Sequence, residues 1–307
     1  MKRRQFLEKT GLSLGALYAS QYLISCKAGI EAFGIQLWTV KEDMAKDPKA
    51  TLKAVAAAGY KQIESFTGEK GIFWGMKPSE FKTYISDLGL SMISSHVDPT
   101  FTQNTSDLSG FKKLVDEAAS VGVSYLINPF PGEFKTESEW KKTADGLNKQ
   151  GEVCKAGGLT MGYHNHHFEF LPTVEGIIPE QLLLDNTDKD LVKFELDLYW
   201  VVKAGQDPIK WLQANKDRFH LVHIKDLYKK ERLLEIEMAE KPVEGAFWPA
   251  GASTTLGNGQ IDFPKVLKVA KEAGVKYFIV EQERFDNSTP LEDIKKDAAY
   301  MKAFKFA

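Results

Sequence analysis

Four short segments in the second half of the chain carry residue types that bind metals and move protons. They read Gly162-Tyr163-His164-Asn165-His166-His167-Phe168-Glu169, Phe194-Glu195-Leu196-Asp197-Leu198, Leu221-Val222-His223-Ile224-Lys225-Asp226 and Ile279-Val280-Glu281-Gln282-Glu283. If each is the end of a β-strand, successive side chains point to opposite faces. His164 then shares a face with His166, Glu195 with Asp197, His223 with Lys225, and Glu281 with Ile279 and Glu283. A single strand-end carboxylate can simply cap a helix or pair with a lysine. Three acidic or imidazole residues on three neighbouring strand ends are harder to explain that way, because isolated buried charge is costly. Such a mixed nitrogen and oxygen set suits Mn²⁺, Zn²⁺ or Co²⁺, with Mg²⁺ less favoured.

The elements that must position these residues repeat along the chain. A helix pattern stops at glycine, and a short apolar run ending in a polar residue follows. Gly59 leads to Gln62-Ile63-Glu64, Gly89 to Ile93-Ser94-Ser95-His96, Gly122 to Leu126-Ile127-Asn128, Gly158 to Met161-Gly162-Tyr163-His164, and Gly274 to Phe278-Ile279-Val280-Glu281. Glycine suits the left-handed residue that ends a helix, and the apolar runs suit strands buried on both faces. Phe33 to Val40, Lys193 to Trp200 and His220 to Leu227 complete a count of eight strands. Helices are expected near 48–58, 78–88, 107–121, 136–156, 208–217, 263–273 and 290–304, with a weakly marked fifth helix within 174–190. The fold class is α/β, a (β/α)8 TIM barrel in a single domain, with a long loop between strand seven and its helix. In such barrels the strand C-termini form the active site. The repeat therefore predicts Glu64, His96, Asn128, His164 and Glu281 around one pocket. An open doubly wound sheet is the rival, but no glycine fingerprint follows the first strand.

The 307 residues and their 43% hydrophobic and 27% charged content fit one barrel with a substantial core. A formal net charge of -2 argues against a nucleic-acid partner. Residues 1–25 read as an export signal. Lys2-Arg3-Arg4-Gln5-Phe6-Leu7 is twin-arginine-like, an apolar run follows, and Leu23-Ile24-Ser25-Cys26 is lipobox-like. Residues 26–307 would then be the mature barrel, anchored by a lipid on Cys26 and located in the periplasm or on a membrane. Cys154 is the other cysteine, so the mature chain has no intrachain disulfide to form.

Several segments together carry a family resemblance: Gly34-Ile35-Gln36-Leu37-Trp38, Gly162 to His166, Leu221 to Asp226, Leu256-Gly257-Asn258-Gly259-Gln260-Ile261-Asp262-Phe263, and Ile279-Val280-Glu281. From about Ile30 onward the chain resembles the sugar phosphate isomerase/epimerase superfamily of xylose isomerase-like barrels. Ketose 3-epimerases, inosose dehydratase, hydroxypyruvate isomerase and endonuclease IV-type repair enzymes belong to it. The histidine-rich strand-five motif resembles the inosose dehydratase side. The resemblance implies one divalent metal on ligands from strands five to eight, which places Asp197, His223 and Glu281 as the last three. Many members carry glutamate where this chain has His164. Glu169, just past the strand, is preferred as the fourth ligand because it restores a carboxylate. Manganese is the first expectation, with zinc, cobalt or magnesium as alternatives.

The expected chemistry is α-proton abstraction from a ketose-like sugar through an enediolate, giving isomerisation or epimerisation. Loss of a β-substituent instead makes the chain a dehydratase or lyase. His166 and His96 are the expected acid/base residues and His164 another candidate, with Lys225 stabilising negative charge. Gln36, Trp38, Glu64, Asn128 and Trp248 are expected to touch the substrate. Phe247 and Trp248 lie within 228–258, a stretch long enough to be a lid. The partner is a small sugar; the oligomeric state is left open. A sugar-binding lipoprotein would call for two lobes, whereas the βα rhythm shows one body. A repair endonuclease would call for a basic surface.

Overall fold

A computed structural model describes residues 29–132, 134–232 and 252–306. The expected export signal with Cys26, and Phe247 and Trp248 of the expected lid, lie outside the described residues. Among the described residues ten strands follow one another: β1 (Gly34–Gln36), β2 (Gln62–Phe66), β3 (Ser91–His96), β4 (Tyr125–Asn128), β5 (Thr160–His164), β6 (Val192–Asp197), β7 (Phe219–Ile224), β8 (Asp226–Leu227), β9 (Ser253–Thr254) and β10 (Tyr277–Val280). Eight of them close a parallel barrel in the order β1-β10-β7-β6-β5-β4-β3-β2. The expected (β/α)8 architecture is the one observed.

Local chemistry sets the boundaries. The helix Pro48–Ala58 begins on an Asp47 side chain that accepts from the Ala50 N–H and ends on Gly59 at φ +112°. Capping boxes at Thr136/Glu139 and Thr289/Glu292 start the helices Glu137–Ala156 and Pro290–Ala303. The weakly marked fifth helix is Pro179–Asn186, with Pro179 in its first turn, where a missing N–H costs nothing.

Three strands are shorter than the apolar runs suggested: β7 ends at Ile224, with Asp226–Leu227 turning off to pair with β9. β1 ends at Gln36 and β6 at Asp197, because these side chains cap the turns that follow. Gln36 Oε1 accepts from Trp38 N at 3.0 Å, and Asp197 Oδ1 accepts from Trp200 N at 3.2 Å. Both turns bring a tryptophan to the barrel mouth.

Inside the barrel, Tyr125, Ile127, Leu221 and Ile279 form an apolar layer beneath the polar strand ends. Gly162 belongs to this layer through its missing side chain: a Cβ there would stand 2.8 Å from Ile127 Cγ1.

The long excursion after β7 is tied at its base. β8 pairs antiparallel with β9. The Asp226 carboxylate accepts from the backbone N–H groups of Leu227, Gly257, Gly259 and Ile261 at 2.9–3.2 Å. This accounts for the Gly257-Asn258-Gly259 motif, since a Cβ on Gly259 would collide with Asp226. Gly259→Ala is expected to cost about 1–3 kcal/mol, read as a lower urea midpoint at unchanged slope.

Candidate active site

The C-terminal ends of six barrel strands deliver a buried knot of acids and imidazoles. Its centre is the Glu195 carboxylate on β6. Glu195 Oε2 lies 3.0 Å from His96 Nε2, 3.1 Å from His164 Nδ1 and 3.2 Å from His223 Nε2. Glu64 Oε1 stands 2.7 Å from His223 Nε2 and 3.2 Å from His96 Nε2, and accepts from Gln36 Nε2 at 2.8 Å. The other ring nitrogen of His223 faces a second pair of acids, with Nδ1 3.2 Å from Glu281 Oε2 and 3.7 Å from Asp197 Oδ2. Lys225 completes that side, with Nζ 3.2 Å from Glu281 Oε2 and in contact with Glu283. Its ammonium lies over the rings of Tyr199 and Trp200, 4.9 and 5.0 Å from their centroids.

His96 reaches this knot because β3 is irregular. Its register against β2 shifts between the pairs Ile63/Met92 and Glu64/Ser94, so one extra residue is taken up and both Ile93 and His96 face the axis.

Above the knot opens a cavity of about 360 Å³, near the small end for ligand pockets (~300–1,000 Å³). His96, His164, His166, Lys225, Glu281 and Glu283 form its polar floor and side; Trp38, Phe66, Phe130 and Trp200 are aromatic walls. Trp38 is 38% exposed at the rim, its indole donating to Glu283 Oε1 at 3.1 Å.

The expected residues thus divide. His96, His164, His166, Lys225, Trp38 and Glu281 line the cavity, and Glu64, Asp197 and His223 lie in the knot. Gln36 is fully buried and holds Glu64 rather than lining the cavity. Asn128 is not at the site. Tyr125 and Ile127 face the axis, so Asn128, one residue on, faces the helix layer, where its amide donates to Thr102 Oγ1 at 2.6 Å. Glu169 is also corrected as a ligand. The chain leaves β5 after His164, and a 3-10 turn (Phe168–Phe170) carries the Glu169 carboxylate to the opposite side of the sheet, where it accepts from Tyr163 Oη at 2.8 Å and His166 N at 2.9 Å. Glu195 was legible only as sharing the Asp197 face, and Glu283 as sharing that of Glu281. Phe66 and Phe130 carried no signal beyond their apolar character.

Electrostatics separates the imidazoles. Burial acts to lower the pKa of His96, but the charges and hydrogen bonds of Glu64 and Glu195 raise it to about 9. His223 likewise overcomes burial through Glu195 and Glu281 and is raised. Burial dominates at His164, whose pKa falls well below the usual value. Burial and the neighbouring Lys225 charge push His166 down to about 3, and its Nδ1 is buried with no hydrogen-bond partner. Burial acts to raise Glu195, yet the facing histidines hold it at about 2.

The profile of the xylose isomerase-like TIM barrel family matches residues 52–304. The chain belongs to this family. It is similar to an inosose dehydratase of Clostridium perfringens, 34% identical over 177 residues, which are 56% of this chain and 58% of that protein. The match thus spans little more than half the length of that curated relative. Among solved structures it is similar to a sugar phosphate isomerase/epimerase from Parabacteroides distasonis, with a TM-score of 0.72 and 29% identity over 91% of this chain and 96% of that one. An IOLI protein with a bound zinc atom shares the fold, with a TM-score of 0.66 and 16% identity over 88% and 96% of the two chains.

The residues of this xylose isomerase-like barrel fit a divalent cation. Among the described residues, two groups have ligand atoms within 4.8 Å of one another: His96, His164, Glu195 and His223, and Asp197, His223 and Glu281. Glu64 Oε2, Glu195 Oε1 and Asp197 Oδ2 are buried without hydrogen-bond partners, a costly state that a cation relieves. Without one, protons on His96 and His223 offset the acids. The unfolded histidine pKa is near 6.5 and that of folded His96 about 9. Its stabilisation is therefore full below the unfolded value and lost as pH rises through about 9. Chelator-treated protein is expected to lose on the order of 2–3 kcal/mol between pH 6.5 and 9.5, seen as a falling melting temperature. Saturating Zn²⁺ or Co²⁺ should remove most of that fall, because the metal takes the deprotonated rings.

Proposed function

We propose that this chain is a metal-dependent enzyme that removes an α-proton from a keto-sugar or keto-cyclitol and expels a β-hydroxyl, a dehydratase. The observation that carries this reading is the pairing, in one cavity, of a neutral imidazole, His166, and a buried ammonium, Lys225. The family and the inosose dehydratase relative support it. A divalent cation held by the knot would supply polarisation of the substrate's carbonyl and acidify its α-hydrogen.

The chain's own groups do the rest. His166 accepts the α-proton as the C–H electron pair moves onto the carbonyl. Lys225 lies where it can hydrogen-bond the developing oxyanion, at low dielectric and with its position fixed by Glu281, Glu283 and two aromatic rings. The electron pair then returns, the bond from the β-carbon to its hydroxyl breaks, and the proton on His166 leaves with that hydroxyl as water. The low proton affinity of His166 suits this second half, because a weak base is a strong acid once protonated. Trp38, Phe66, Phe130 and Trp200 offer apolar faces to a ring and keep bulk water from the anion.

The isomerase or epimerase reading keeps one specific support, the 29% identical isomerase/epimerase structure. It uses the same first step and returns the proton to carbon. Incubating the metal-loaded protein with a panel of keto-inositols, ketohexoses and keto-glycosides separates the two by mass spectrometry. Dehydration yields a product lighter by one water, whereas an unchanged mass with a new isomer would replace the dehydratase reading with the epimerase one. The twin-arginine-like segment and Cys26 support an extracytoplasmic substrate; loss of membrane association in Cys26→Ser would bear that out.

A further inference from the structure

Resting on the reading of His166 as the proton acceptor, we propose that Glu169 is a positioning residue. Its buried carboxylate holds the His166 peptide so that the ring enters the cavity. The barrel ladder no longer does this. The pairing of β5 with β6 stops at His164 opposite Glu195, and His166 lies two residues further on. A backbone N–H turned away from water needs an acceptor. Glu169 Oε2 supplies one at 2.9 Å, reaching back three residues. The other carboxylate oxygen accepts from Tyr163 Oη at 2.8 Å. Tyr163 is fully buried on β5 and packs edge-on against Phe194 of β6, with ring centroids 5.9 Å apart. The barrel wall thus fixes the carboxylate, and the carboxylate fixes the amide.

The carbonyl side of the same residue is held as well. Asn165 Nδ2 donates to His166 O at 3.3 Å, and Asn165 Oδ1 accepts from Asp197 N at 3.0 Å. Between these two holds the imidazole stands nearly parallel to the Phe168 ring, at 7° and 6.0 Å between centroids, and 5.3 Å from the Trp200 ring. The direction of the ring is therefore set through its backbone. A carboxylate without access to water is costly unless hydrogen-bonded, and Glu180 shows the alternative. Both of its oxygens are buried without hydrogen-bond partners, and burial, helped by the charge of Glu169, pushes its carboxyl well above the usual range. Glu180 stays a neutral acid, whereas Glu169 has donors built around it.

Glu169→Ala, Glu169→Gln and Glu180→Gln test this in the Zn²⁺-loaded protein. The glutamine side chain keeps an oxygen for the His166 N–H, and its NH2 can donate to Tyr163 Oη. Glu169→Ala is expected to lower kcat for the keto-substrate by about 10²-fold, the cost of misplacing a reacting group by ~1 Å. KM should stay within about threefold, as for an interaction that does not bind the ground state. Glu169→Gln should recover to within about tenfold of the parent, and Glu180→Gln should equal the parent. The His166 amide proton, followed by NMR in ¹⁵N-histidine-labelled protein without substrate, should lose its downfield shift and exchange protection in Glu169→Ala alone. Bound zinc should be equal in all four proteins. Parent-like kcat in folded Glu169→Ala, a His166 amide unmoved by that substitution, or loss of zinc from Glu169→Gln would each overturn the assignment. Where Glu169→Ala fails to fold, Tyr163→Phe replaces it, with a kcat loss of about threefold to tenfold expected and an unchanged rate and amide counting against the role. No α-proton exchange by the parent with any keto-substrate, while the His166 amide responds as expected, would overturn the proton-abstraction reading and leave the hold of Glu169 on His166 standing.

Discussion

His223→Ala is expected to lower kcat/KM by on the order of 10³-fold or more, the scale on which a principal stabiliser of developing charge acts. His223 is the one residue common to both clusters. Its Nε2 faces Glu64 and Glu195, and its Nδ1 faces Glu281 and Asp197. Removing the ring therefore takes a ligand from either cation position and leaves buried acids facing one another. The same substitution should cost about 3–5 kcal/mol in the metal-free protein, the usual result of breaking a buried ion pair from one side. Steady-state rates per folded molecule, paired with urea unfolding, separate the two effects. Retention of more than a tenth of the activity would show that the knot is structural.

Lys225→Met is the second large effect. The methionine fills the space of the lysine stem but leaves Glu281 and Glu283 without their ammonium. A fall in kcat of about 10²–10³-fold is expected, with KM changing much less, because the lost interaction belongs to the anion and not to the ketone. Lys225 is one of the causes holding His166 down at about 3. The His166 pKa should therefore rise in Lys225→Met, and ring-carbon NMR titration of His166 would record it. A kcat loss without that rise would place Lys225 away from the His166 ring in solution.

Much of this site was legible from alternation alone. In β6 the two-residue period grouped Glu195 with Asp197, and carried one step past the ends of β5 and β7 it grouped His164 with His166 and His223 with Lys225. It worked because these segments of the parallel barrel strands are buried on both faces and alternate in and out. The failures lie where that order stops or was not counted. Asn128 was placed at the pocket as the last polar residue of its strand, although its neighbour Ile127 holds the inward position. Glu169 lies beyond the strand, where a 3-10 turn reverses its direction. His96 faces inward only through a register shift that no residue type announces. Glu195 was in view only as sharing the Asp197 face; its place at the centre of three imidazoles depends on β3, β5 and β7 converging, which is tertiary information.

The most direct measurement of the central claim is solvent exchange at carbon. Metal-loaded protein and His166→Ala are each incubated with a keto-inositol or ketohexose in D₂O, and the α-hydrogen is followed by proton NMR. The proposed chemistry predicts loss of the α-hydrogen signal, through exchange or elimination, with the parent protein, and a rate at least about 10²-fold lower with His166→Ala. A substrate that binds, yet keeps its α-hydrogen as long as it does in buffer, would contradict it.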